Sequence, residues 1–69
     1  MTQHELILKH LNEKGSISPF EAFTEYGITN LATRISEMKK LGYKFTTLMV
    51  EETNRYGDPV RYARYWRAE

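Results

Sequence analysis

Cysteine is absent from this chain of 69 residues. No disulfide and no cysteine-ligated zinc can therefore hold the fold together. Proline occurs twice and glycine four times, too rarely for a flexible or proline-rich linker. Repeats and low-complexity tracts are missing too. No apolar run approaches the roughly 20 residues of a membrane span. The N-terminal segment lacks the basic-then-apolar pattern of a secretion signal. These absences predict a cytoplasmic protein with no membrane partner. Neither sign of charge dominates: ten Lys and Arg stand against nine Asp and Glu, for a net charge of +1. The chain also lacks a phosphate-cradling glycine loop, a nucleophile–base pattern and a plausible pair of catalytic carboxylates. An enzyme is not expected, nor a cofactor, nor a small-molecule substrate. His4 and His10 lie six positions apart, so they do not form an i, i+4 ligand pair, and no metal site is expected. Both histidines read as exposed polar positions.

Against this background, aromatic residues make up 13% of the chain and supply large side chains for a core. Tyr43, Tyr56, Tyr62, Tyr65 and Trp66 read as core material rather than as stacking platforms for single strands. The length fits a single domain over residues 1–69, of a size whose core contributes only a few kcal/mol. The charge, nearly balanced in total, is unevenly spread. Residues 1–28 carry two lysines against four glutamates, and residues 29–69 carry eight basic side chains against five acidic ones. The C-terminal half is therefore the part suited to an anionic partner.

Residues 18–42 are the most informative stretch. Upstream, Thr2 with Glu5 forms a capping-box pattern, and Leu6, Ile7, Leu8 and Leu11 make an apolar side. A first helix over about 3–14 is predicted, stopped by Gly15. Ser18, Pro19 and Glu21 open a second helix over about 19–26. Ala22 and Phe23 are expected to point inward, with Gly27 ending the helix and Ile28 anchoring the turn. Thr29 is expected to cap a third helix over about 30–41. There Leu31, Ile35 and Met38 repeat at the spacing of one buried face. Gly42 stops it.

Residues 44–52 and 60–67 are rich in β-branched and aromatic side chains and read as two strands. Between them, Thr53 to Pro59 is dense in turn formers. Both strands carry apolar groups on both faces, so alternation does not say which face is buried. Phe45 is the expected inner residue of the first strand. Tyr65 and Trp66 point opposite ways, so one of them must be partly exposed. Ser16 and Ile17 form a possible third short strand, one that could bridge to the later hairpin.

Helix, helix, turn, helix and hairpin make an α+β fold. The run I-T-N-L-A-T-R-I-S-E-M-K-K-L-G-Y at 28–43, with R-Y-A-R-Y-W at 61–66, resembles the winged helix-turn-helix domain of the small bacteriophage and prophage type. The resemblance implies a three-helix body with a C-terminal two-stranded β-hairpin. It also implies a regulator or accessory factor of a phage or prophage in a bacterial host cell.

Double-stranded DNA is then the expected partner. The third helix would enter the major groove. Asn30, Thr33, Arg34 and Glu37 are its candidates for base contact, since Arg pairs with guanine, Asn with adenine, Thr with the thymine methyl and Glu with cytosine; Glu37 could instead hold Arg34 or Lys40 in place. Thr29, Lys39, Lys40 and Lys44 are candidates for phosphate contact, which gives affinity without sequence information. Asn54, Arg55, Tyr56 and Arg61 make up a candidate wing. One copy of so small a domain covers little DNA, so a homodimer or cooperative binding is expected, through helix 1 or the aromatic face of the hairpin. The weak net charge favours a second reading, a winged-helix module that binds a host or phage protein.

Overall fold

The computed structural model describes residues 1–68. Glu69, counted above among the acidic side chains, lies outside the described residues. The chain runs α1 (Gln3–Lys14), α2 (Pro19–Tyr26), α3 (Leu31–Lys40), β1 (Phe45–Thr53) and β2 (Pro59–Arg67). The strands form an antiparallel hairpin in continuous register from Phe45 opposite Arg67 to Thr53 opposite Pro59. Ile17 adds an isolated antiparallel bridge to Tyr65, on the side of β2 away from β1. The expected third strand is thus a single bridged residue. The three helices followed by a hairpin are the α+β arrangement anticipated from the sequence.

Local chemistry explains the helix boundaries. Thr2 Oγ1 accepts from the Glu5 backbone N–H at 3.1 Å, and Glu5 Oε1 accepts from the Thr2 N–H at 2.9 Å. Hydrogen bonds from the Thr2 backbone N–H, and secondarily from its hydroxyl, hold the Glu5 carboxyl below its usual pKa. Ser18 and Glu21 repeat the same reciprocal box at α2, with Pro19 in the first turn, where its missing N–H costs nothing. Gly15 and Gly27 end α1 and α2 at φ 89° and 69°, a left-handed conformation that glycine adopts without strain. Ser18 is 2% exposed, so its hydroxyl is committed to the cap. Ser18→Ala is expected to cost about 0.5–2 kcal/mol, measured as a lowered urea midpoint at constant slope.

The cap of α3 differs from expectation. Asn30, not Thr29, is the N-cap: Asn30 Oδ1 accepts from the Thr33 N–H at 3.3 Å. Asn ranks with the best N-cap residues, above threonine, and the helix accordingly starts one residue later.

The core draws on every element. Ile7 and Leu11 of α1, Ala22 of α2 and Ile28 of the turn meet Leu31, Ile35 and Met38 of α3. Ile17 and Tyr65 close the cluster, with Phe45 and Ala63 packed at its edge. Trp66 is half-buried on the other face. The hairpin face that meets the helices is therefore the one carrying Phe45, Ala63 and Tyr65.

Three side chains depart from the sequence reading. Tyr56, read as core material, is 80% exposed in the hairpin loop. Phe23, expected inside, is 58% exposed, and Phe20 is 75% exposed. In α2 Ala22 is the buried residue, with Tyr26 packed at the edge of the core. His10, expected outside, is 3% exposed. Its Nδ1 shares a 2.8 Å hydrogen bond with Tyr26 Oη, and the two rings meet edge to face. Burial, reinforced by Glu25, pushes the Tyr26 hydroxyl above its ordinary pKa and keeps it protonated. The pair places a polar contact between α1 and α2 that gives His10 Nδ1 and Tyr26 Oη a partner, while His10 Nε2 is buried without a hydrogen bond, 3.9 Å from Glu21 Oε1.

Candidate nucleic-acid interface

α2 and α3 are joined by four residues, Gly27 to Asn30. The Gly27 N–H donates to Phe23 O at 2.8 Å and the Ile28 N–H to Ala22 O at 3.1 Å, so the chain reverses direction immediately. Ile28, 1% exposed, pins the elbow to the core. The turn leaves α3 seated on one apolar stripe with its other side turned outward.

That outer side is not centred where the helical wheel alone would put it. Thr29, Asn30, Ala32, Ser36, Lys39 and Lys40 are exposed, whereas Thr33, Arg34 and Glu37 are half-buried. The cause is α1. Its first turn lies beside α3, and His4 Nε2 is 3.0 Å from Glu37 Oε1. Arg34 Nη2 sits 3.3 Å from Glu37 Oε2 on the same helix. An open depression of about 360 Å³ between the two helices is lined by Thr2, Gln3, His4, Arg34 and Glu37. Two of the four base-contact candidates, Arg34 and Glu37, are thus tied to each other and to α1. A third, Asn30, spends its amide oxygen on the helix cap, and Thr33 stands half-buried beside them. The accessible ridge is instead Thr29, Ala32, Ser36, Lys39 and Lys40. Ala32 and Ser36 are not among the base-contact candidates read from the sequence, because neither side chain announces a contact. Their smallness lets a partner approach the helix closely.

Lys39 and Lys40 fall in the last turn of α3, where they also complement the helix dipole. Lys44 is exposed at the foot of β1. The wing loop is ordered by Asn54, whose Oδ1 accepts from the Tyr56 and Asp58 N–H groups at 2.9 and 3.0 Å. Asn54 is therefore a turn residue first. Arg55 lies over the Tyr56 ring at 5.8 Å, and both project at the tip. Arg61 pairs with Glu51 across the hairpin at 3.3 Å, both well exposed. The structure brings Arg55 and Tyr56 together and leaves Arg61 lower on the hairpin.

Arg64 ties the hairpin to the helices. Its Nη1 donates to Ser16 Oγ at 2.8 Å and to Glu21 Oε1 at 3.0 Å. Burial opposes its charge, but hydrogen bonds with Tyr62 and Glu21 outweigh that and hold its pKa above the ordinary arginine value. This bridge fixes the angle at which the hairpin stands against the helical body. Among the described residues no three His, Asp or Glu side chains gather to hold a metal ion. Nor is any helix long and apolar enough to cross a membrane.

A tight helical elbow, an outward-facing second helix and a projecting hairpin define a helix-turn-helix with a wing, a class whose usual partner is DNA. The family model of the winged helix-turn-helix domain matches residues 2–69, and the chain belongs to that family. No curated protein matches the chain.

Proposed function

We propose that this chain binds double-stranded DNA with sequence preference and acts, without catalysis, as a transcriptional regulator or accessory factor of a phage or prophage. The phage setting rests on the sequence resemblance alone. One observation carries the DNA reading: α3 presents an unobstructed ridge, Thr29–Ala32–Ser36, ending in two lysines. Such a helix enters a major groove with its small residues against base edges and its lysines against phosphates. The Ala32 methyl suits a thymine methyl, and Ser36 pairs with either donor or acceptor edges. Thr33 borders this ridge, and Arg34 reaches guanine by letting go of Glu37, which His4 then retains. Arg55 at the wing tip meets the backbone or the minor groove.

Selection of bound duplexes from a random pool tests the reading. The selected duplex is expected to bind less tightly as salt rises, with a logarithmic slope of about −0.9 per phosphate neutralised. Anisotropy titrations at several salt concentrations read that slope. Absence of retardation of every duplex at low salt rejects the proposal. A second reading, a protein-binding module, is favoured by one feature: Phe20 and Phe23 stand 75% and 58% exposed on α2. Duplex-independent capture of a protein through Phe20 would support it.

A further inference from the structure

β1 is a nine-residue strand with a partner on one edge only among the described residues. Exposed strand edges invite pairing, and proteins usually block them with lysine, proline, a bulge or brevity. From Phe45 to Val50 this strand has none of these; its run is F-T-T-L-M-V. Leu48 and Met49 are 54% and 57% exposed.

The outward groups can be identified. The Ala68 N–H donates to Lys44 O and the Asn54 N–H to Asp58 O, both at 2.9 Å, so even-numbered residues face β2 at either end. An antiparallel ladder alternates. The N–H and C=O groups of Phe45, Thr47, Met49 and Glu51 therefore point away from β2. A second antiparallel copy of β1 must match odd residues with odd ones, which leaves few two-fold registers. Centring the axis on Leu48 places Lys44 opposite Glu52 of the partner subunit, twice by symmetry. It also sets Leu48 against Leu48 of the partner subunit and Thr46 against Val50 of the partner subunit. Centring it on Met49 instead sets Glu51 and Glu52 opposite threonines and leaves Lys44 facing Asn54 of the partner subunit. Opposite charges directly across strands stabilise a pair, so the first register is selected.

We propose that β1 pairs with β1 of a second copy about a two-fold axis at Leu48, making a continuous four-stranded sheet. Helices lie on one face of each hairpin, so the two helical bodies sit on the same side of the joined sheet. Two α3 ridges then belong to one particle. This proposal goes beyond the DNA reading and stands apart from it, because the dimer forms without DNA.

Light scattering during gel filtration of the full chain, without DNA, tests it. The expected mass is that of two chains. Lys44→Glu is expected to give single chains, as is Glu52→Lys, and the double variant is expected to restore the pair. Thr47→Pro removes an outward N–H without touching the β1–β2 ladder and is expected to give single chains of native circular dichroism. A wild-type mass of one chain at every concentration overturns the proposal. So does a dimer that survives both single charge reversals and Thr47→Pro. Loss of DNA binding by an intact dimer would count against the DNA reading alone.

Discussion

Ile35→Ala is expected to leave the chain largely unfolded at 37 °C. Ile35 is 2% exposed and sits in the middle of the α3 stripe, within the core cluster to which α1, α2 and the turn also contribute. Truncating such a side chain removes transfer energy and leaves a cavity, together about 2–5 kcal/mol. A core of this size supplies only about 3–5 kcal/mol of net stability, with no disulfide in reserve. The substitution therefore consumes most of what is available. Ile35→Val, which removes one methyl group, is expected to cost about 0.5–1.5 kcal/mol and to keep a cooperative transition. Thermal and urea unfolding followed by circular dichroism distinguish them. Equal stability of the two variants would mean that α3 is not seated on the core as described.

The second large effect concerns DNA. Lys39→Ala with Lys40→Ala is expected to lower affinity for every duplex alike and to reduce the salt slope by about 1.8, the contribution of two phosphate contacts. Both side chains are exposed in the last turn of α3 and away from the core, so the fold should be unaffected apart from a small loss of dipole complementarity. Ser36→Ala is expected to act differently. It should alter preference at one base pair, where a mismatch costs about 1–3 kcal/mol, while the slope stays unchanged. A double-lysine variant with unaltered slope would remove α3 from the DNA contact.

Most of the architecture could be read from the sequence because local signals coincided with tertiary ones. Thr2 with Glu5, and Ser18 with Glu21, announce helix starts by chemistry contained within four residues. Gly15 and Gly27 announce the ends. Leu31, Ile35 and Met38 declare a buried face by spacing alone. What could not be read depends on neighbours distant in sequence. His10 is polar by composition, yet Tyr26 makes it a core residue. Phe23 is apolar, yet α2 buries Ala22 and leaves Phe23 facing outward. The choice of hairpin face was settled by Ile17 meeting Tyr65, a contact that no alternation pattern encodes. The accessible side of α3 was misjudged for the same reason. A helical wheel knows only its own helix, whereas His4 of α1 claims Glu37 and, through it, Arg34. Asn30 rather than Thr29 as the cap is a more local matter, a one-residue shift between two side chains that both accept from backbone N–H groups.

The bridge between Ile17 and Tyr65 has a consequence for biosynthesis. Nearly the whole domain must leave the ribosome before that contact can form. Until then the helical cluster lacks the aromatic ring that closes it, so a message truncated upstream of Tyr65 is expected to yield a fragment with part of its core exposed in place of a smaller working domain.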